Sequence, residues 1–343
     1  MEINRTYLRE LSCISKLSGQ DERLVQASGG NTSVKVDERL MLVKASGFSL
    51  TDITEEQGYA LVDYGRICEA FQSREIGDEE EEALLSSAHL DGKRPSIETF
   101  LHSFTQKYTI HTHPLGVTML ASRKNGMARL RELFPDAMIT EYFTPGIRLA
   151  REFYSHLRES DSQVTFFKNH GLMVSAAGME EVIRLQRHVI EKVDSSLGLD
   201  ISVYGIGNAL FDALQKVQPG SIAYRVEAPD VTAAIERSGG VWDHAYTPDC
   251  VVYCGNRIAE IESDYEESLK RFKEQFGIIR SVFANGHLYA VAENMKKAKE
   301  TACMLVFSAK IYNGSPEGQM ETLDWKERDY LLGWDSEKYR ASL

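Results

Sequence analysis

No stretch of this sequence is long and apolar enough to cross a bilayer as a helix. The first residues, Met-Glu-Ile-Asn-Arg-Thr, lack the apolar core of a secretory signal. Cysteine is scarce: Cys13, Cys68, Cys250, Cys254 and Cys303 form an odd set with neither disulfide nor zinc-knuckle spacing. Cys250 and Cys254 sit in the apolar run Cys-Val-Val-Tyr-Cys, which reads as a strand. On a strand they would share a face about 13 Å apart, too far to bridge or to share a metal. Buried, reduced thiols are therefore expected, and with them a cytoplasmic location. Excess positive charge is missing too. A net charge of −12 disfavours nucleic acid and anionic membrane as partners, since like charge repels both. The chain has no internal repeat and no low-complexity segment.

What remains is an ordinary globular composition, 43% hydrophobic and 26% charged. Its 343 residues exceed the usual size of one compact domain. Acidity is concentrated in Asp78-Glu79-Glu80-Glu81-Glu82, expected to be the solvated first turn of a helix, where carboxylates complement the macrodipole.

Leu8, Leu11 and Leu17 recur at helical spacing, with Gly19 as the stop. Ser33–Val36 and Leu40–Lys44 predict a β-hairpin around Asp37-Glu38-Arg39. Further strands are predicted near Tyr59, over Tyr108–His113, Ala137–Tyr142, Val164–Lys168 and Leu172–Ser175, and helices over 79–91, 97–107 and Met179–Leu197. A second alternating block beyond Thr247 predicts strands near 250–254 and 287–292. Strands alternating with helices make the fold class α/β with a mixed sheet, and residues 206–343 a small C-terminal α/β extension to a domain over 1–205.

His111-Thr112-His113 lies in one of the predicted strands, so both imidazoles point to the same face roughly 6–7 Å apart and can converge on one ion. A His-x-His pair arises easily by chance among nine histidines, so the pair needs company. His170, at a tight turn after another strand, is the best third ligand. Three neutral histidines leave a coordination position open, as catalytic zinc sites do. Zinc, cobalt, manganese and iron all accept such a set. Glu98 follows the helix-capping Ser96 and lies on a short helix feeding the His111 strand, where a carboxylate can reach the ion or act as base beside it. His102, one turn on, is expected to pack or support rather than ligate.

Gly29-Gly30-Asn31 and Ser46-Gly47 flank the predicted hairpin. Their backbone N–H groups, with the side chains of Asn31 and Ser46, can approach a phosphate closely. Lys44 and Lys168, each at a strand end beside a candidate site loop, can add charge. Such donors matter, because the acidic surface would not attract an anion by itself.

The motifs Gly30-Asn31-Thr32-Ser33, Ser46-Gly47, Pro95-Ser96-Ile97-Glu98, His111-Thr112-His113-Pro114 and Asn169-His170-Gly171 occur in the order of the class II aldolase/adducin family, which the chain resembles over roughly residues 5–200. The resemblance is greater still to the aldolase half of bifunctional rhamnulose-phosphate aldolase/alcohol dehydrogenases, through Gly-Gly-Asn-Thr-Ser-Val-Lys, Lys-Asn-His-Gly, Thr247-Pro248-Asp249 and the ending Trp334-Asp335-Ser336-Glu337-Lys338-Tyr339-Arg340. The chain stops where a dehydrogenase half would begin, and it has no Gly-x-Gly-x-x-Gly, so no nicotinamide site is expected.

The resemblance implies a three-layer αβα fold around a mainly antiparallel sheet, in a homo-oligomer that is usually tetrameric. It implies Zn2+ or a similar ion on His111, His113 and His170, with Glu98 as both catalytic carboxylate and ligand. Gly30, Asn31, Ser46, Gly47 and Ser96 match phosphate-binding positions, and Tyr142 matches a proton-donating tyrosine from a neighbouring subunit. Ile97 departs from the family by replacing a phosphate-binding serine. The activity implied is retro-aldol cleavage of a phosphorylated ketose. Epimerisation or dehydration on the same metal, and a non-catalytic adducin-like scaffold, are the alternatives; a scaffold has no physical need for three convergent imidazoles and a carboxylate.

Overall fold

A computed structural model describes residues 4–157, 162–316 and 319–333. The chain divides into two compact units, residues 1–201 and 202–343. The characteristic ending from Trp334 to Arg340 lies outside the described residues.

The first unit runs α1 (Arg5–Gly19), β1 (Asn31–Lys35), β2 (Leu40–Lys44), β3 (Tyr59–Asp63), α2 (Tyr64–Ser73), α3 (Glu81–Ala88), β4 (His89–Gly92), α4 (Thr99–Ser103) and β5 (Tyr108–Thr112). It continues with α5 (Leu115–Ala121), α6 (Gly126–Leu133), β6 (Met138–Thr140), α7 (Ile147–His156), β7 (Val164–Phe167), β8 (Gly171–Ala176) and α8 (Met179–Leu197). Eight strands form one sheet in the order β4-β3-β2-β1-β5-β8-β7-β6. Every neighbouring pair is antiparallel except β6 with β7. This is the expected α/β class with a mainly antiparallel sheet.

Two adjacent residues of β1 show how the layers arise. The Thr32 hydroxyl lies 2.6 Å from Ser15 of α1, whereas the Ser33 hydroxyl lies 2.7 Å from Nδ1 of His102 in α4. Consecutive strand residues point to opposite faces, so α1 and α4 cover opposite sides of the sheet. Leu11 and Ile14 of α1 are fully buried, each contributing roughly 1.5–3 kcal/mol. On the other side Phe71 of α2, Phe100 and Leu101 of α4, and Ile147 and Phe153 of α7 close over Phe167 and Met173 of the sheet.

The acidic run departs from expectation. Asp78–Glu80 form a short 3-10 turn ahead of α3, and the carboxylates are engaged rather than merely solvated. Glu81 accepts a hydrogen bond from the Ile147 N–H at 2.7 Å, serving the N-terminus of α7. Asp78 pairs with Arg148 and Arg151 of the same helix.

The second unit contains α9 (Ser202–Val217), β9 (Ile222–Arg225), α10 (Pro229–Ser238), α11 (Pro248–Cys254), β10 (Ala259–Ile261), α12 (Tyr265–Phe276), β11 (Ser281–Ala284), β12 (His287–Ala292), α13 (Met295–Gly314) and α14 (Trp325–Gly333). Its sheet order is β10-β11-β12-β9, with β10 parallel to β11 and the other pairs antiparallel. Leu210 and Leu214 of α9 and Leu269 of α12 pack with Val282 and Tyr289, while Leu305 and Ala309 of α13 pack with Leu288 and Ala290.

The strand predicted at 250–254 is a helix, α11. Thr247 accepts from the Cys250 N–H at 3.2 Å and Pro248 occupies the first helical position, which together start a helix despite the paired valines. Cys250 and Cys254 are thus one helical turn apart, and both are buried free thiols.

Candidate metal centre

His111 comes from β5, His113 from the residue after its neighbour Thr112, and His170 from the turn joining β7 to β8. Asn31 of β1 is the register partner of His111, so both point to the face covered by α4. The β7–β8 turn needs a left-handed residue, and Asn169 supplies it with φ +53°. The His170 N–H closes that turn onto the Phe167 carbonyl at 3.2 Å. Glu98 occupies the cap position before α4, where its own N–H donates to the Ser96 hydroxyl at 3.3 Å.

One nitrogen from each of the three imidazoles falls within 4.8 Å of the others. Nε2 of His111 and Nε2 of His170 lie 3.2 Å apart. Glu98 closes the set: Oε1 is 3.2 Å from His170 Nε2, and Oε2 is 3.5 Å from His111 Nε2. Four-coordinate zinc with ligand distances of about 2.0–2.1 Å places neighbouring donor atoms about 3.3–3.4 Å apart. The separations among His111, His170 and Glu98 match that spacing, and Nε2 of His113 is buried with no hydrogen-bond partner among the described residues. The residues present fit a transition-metal ion.

Burial sets the protonation states a metal needs. His111 is fully buried, which holds its imidazolium well below the usual range, and His113 is lowered for the same reason. Burial pushes the Glu98 carboxyl up, but the positive charge of a protonated His111 or His170 and a hydrogen bond from His170 outweigh it and leave the carboxyl below the ordinary range. Neutral imidazoles and an ionised carboxylate are the metal-binding forms.

Supporting groups hold the set. The Asn31 amide donates to Glu98 Oε2. Phe167 sits with its ring centroid 5.7 Å from those of both His111 and His170. It replaces hydrogen-bonded support, because Nδ1 of His111 and of His170 is buried without a partner among the described residues. His102 is fully buried, held by Ser33 and pushed by burial to about 4; it is a neutral packing group beside Glu98, as its helical spacing indicates. Nothing in the amino-acid pattern marks out Phe167, whose neighbour Phe166 differs from it only in which sheet face it takes.

The expected anion-binding residues are placed unevenly. Gly30 adopts φ +71°, and a Cβ there would lie 3.0 Å from the His111 carbonyl, so the loop passes tightly behind the histidine strand. Lys44 is buried, and Nζ donates to the Ser28 carbonyl at 3.1 Å. Desolvation lowers its pKa, with Glu98 near enough to oppose that. Ser96 is buried, and its N–H donates to the Lys44 carbonyl at 3.2 Å. Ser46 and Gly47 are exposed just beyond β2, Gly47 with open space around its Cα. Lys168 is half-exposed and ion-paired to Glu141. Tyr142 is 55% exposed, and Ile97 is also exposed. Among the described residues, no helix is long and apolar enough to cross a membrane.

A sequence model of one family, described as Class II Aldolase and Adducin N-terminal domain, matches residues 9–192. The chain is 26% identical over 200 residues to the Bacillus subtilis protein named Uncharacterized oxidoreductase YuxG, a match that covers 54% of this chain and 29% of that one. It therefore spans less than a third of the length of that curated relative. Among solved structures it is similar to the N-terminal class II aldolase domain of a conserved protein from Thermoplasma acidophilum, at 24% identity and TM-score 0.50 over 55% of this chain and 92% of that one. An L-fuculose-1-phosphate aldolase from Thermus thermophilus matches at 17% identity and TM-score 0.39, over 57% of this chain and 95% of that one. The Thermoplasma likeness is one of fold.

Proposed function

This chain belongs to the class II aldolase and adducin family, and on that premise we propose that it is a metal-dependent lyase cleaving a ketose 1-phosphate, of the rhamnulose or fuculose type, to dihydroxyacetone phosphate and a short aldehyde. The reading rests on one observation above others: Glu98, 6% exposed and held ionised, faces the Nε2 atoms of His111 and His170. A scaffold gains nothing from burying a carboxylate against imidazoles, since removing charge from water costs several kcal/mol per ion unless it is used.

Zinc or a similar ion on His111, His113, His170 and Glu98 would polarise the substrate carbonyl and offset charge developing on its oxygen. In the proposed cleavage the C4 hydroxyl gives up its proton, the C3–C4 electron pair moves toward the carbonyl, and C3 is then protonated. Glu98 carries the proton at C3, and Tyr142 serves the aldehyde oxygen. Tyr142, exposed on its own chain, would play that role in the site of a neighbouring copy, as the family resemblance implies, so a homo-oligomer, a tetramer for example, belongs to the same proposal. Asn31 restrains Glu98 through its amide. The substrate phosphate would meet Gly30, Asn31, Ser46, Gly47 and Ser96, with the buried ammonium of Lys44 supplying charge and Lys168 joining if it exchanges Glu141 for phosphate. Residues 1–205 would carry this chemistry, in the cytoplasm, and 206–343 would form the extension.

Two measurements test the reading together: bound metal by plasma mass spectrometry, and retro-aldol turnover of ketose 1-phosphates with identification of products. Metal-dependent release of dihydroxyacetone phosphate supports a lyase. Conversion to an isomer or a dehydrated sugar instead replaces it with the epimerase or dehydratase chemistry. A chain that takes up no zinc, manganese or cobalt is not a metal-dependent lyase.

A further inference from the structure

The second unit has a cavity of about 330 Å³ that nothing in the metal chemistry uses. It is bounded by the 238–244 loop, the start of β10 and the N-terminal turn of α14. Ligand pockets run from roughly 300 to 1,000 Å³, so this one suits a single small ring.

Its floor is built and rigid. Arg328, 3% exposed, donates to the Leu323 carbonyl at 2.7 Å, the Asn256 carbonyl at 3.3 Å and the Asp243 carboxylate at 2.6 Å. Asp243 also accepts from the Thr322 hydroxyl at 2.9 Å and the Ala245 N–H at 3.2 Å. Burial would raise the Asp243 carboxyl, but these donors hold it below the ordinary range. Yet its side chain keeps 47% of its exposure, so a fixed carboxylate with spare lone pairs lines the cavity.

The mouth differs. Arg257 and Glu260 are exposed, and the Arg257 guanidinium lies over the Phe276 ring at 5.8 Å. Trp325 is 49% exposed although its indole is backed by the Arg328 guanidinium at 4.6 Å and by Phe276. Fixed acceptors, an exposed guanidinium fork and a half-open indole are what a polyhydroxylated ring demands: hydroxyls pair with carboxylates and guanidinium, and the C–H face stacks on the aromatic ring. The lining charges, Arg257 and Arg328 against Asp243 and Glu260, balance, which favours an uncharged ligand over an anion. Two further cavities in this unit lack this set; their charged walls contain the internal pairs Arg225–Glu227 and Glu293–Lys297.

We propose that this cavity binds a neutral monosaccharide, at a site separate in sequence from the metal ligands and independent of the lyase reading. The experiment is saturation-transfer NMR on the full chain with D-glucose, D-galactose and L-rhamnose as probes. Transfer to ring C–H protons is expected for at least one sugar. It should persist in the His111→Ala/His113→Ala variant and weaken about tenfold in Trp325→Ala. Glu260→Gln and Arg257→Ala, both at exposed positions, give second variants that preserve the fold and should weaken it as well. Absence of transfer for all three sugars overturns the proposal. So does binding that survives the three second-unit variants, or that disappears only when the histidines are removed.

Discussion

Gly171 packs so closely on His113 that a Cβ at position 171 would lie 2.8 Å from the imidazole Cδ2 and 2.4 Å from the Thr112 carbonyl. Neither neighbour can yield, since one is backbone and the other is wedged into a buried site. Gly171→Ala should therefore destabilise the chain by about 1–3 kcal/mol and reduce metal retained through gel filtration. Gly205→Ala is the control: that glycine lies inside α9 with open space around it, and alanine there should stabilise by about 0.5–1 kcal/mol. Denaturant melts of both variants decide the matter, and equal effects would show that close approach at Gly171 is not what position 171 requires.

Metal occupancy should be about one ion per chain in protein purified without chelator, given one set of three converging imidazoles among the described residues. The His111→Ala/His113→Ala variant should lose the ion while keeping its circular dichroism. Chelator should lower the melting temperature of the wild type and leave the variant unchanged, because a ligand stabilises only the state that binds it.

Glu98→Ala should cut retro-aldol turnover by about 10²–10⁴-fold, the usual size of a general acid–base contribution. The Asn31 amide would then lose its acceptor, so a stability loss of about 1–3 kcal/mol accompanies it. A turnover rate unchanged in the folded variant would remove Glu98 from the mechanism.

Asp194 of α8 gives a pH signature. Burial raises its carboxyl from 3.8 to about 6, and its Oδ1 is buried without a hydrogen-bond partner among the described residues. A raised folded-state value means the native protein binds this proton more tightly than the unfolded chain does. The contribution is present below pH 3.8 and is lost as pH rises through about 6. Asp194→Asn should therefore gain thermal stability over the wild type at pH 7, with the gap closing toward pH 4. A gap independent of pH would assign the effect to packing instead.

Local periodicity carries much of the fold. The spacing of Leu8, Leu11 and Leu17 marks α1, the Asp-Glu-Arg break marks the β1–β2 turn, and α8 runs over the very residues its amphipathic pattern indicates, Met179–Leu197. These elements are decided by contacts a few residues away, which sequence order displays directly. The helix at Pro248–Cys254 reads as a strand because two valines mask the start signal of Thr247 and Pro248, although the capping bond is the stronger local determinant. β9, β10 and β11 are missed for a different reason: each is only three or four residues long, and pairing within their sheet, rather than a local pattern, makes them strands.

The candidate site divides the same way. Composition and spacing alone place His111 and His113 on one face of a strand, because alternation along β5 is a property of the local backbone. That His170, 59 positions later, brings Nε2 to 3.2 Å from His111, and that Glu98 completes the set from a third segment, is decided by the β5–β8 pairing and the docking of α4. So is the conversion of a run of five acidic residues from a solvated helix start into the anchor of α7, through Asp78 and Glu81. Side-chain type and local spacing state which groups can do chemistry. Which of them meet, how deeply they are desolvated and what charge they then carry depend on strand register and helix docking, and those exist only once the whole sheet has formed.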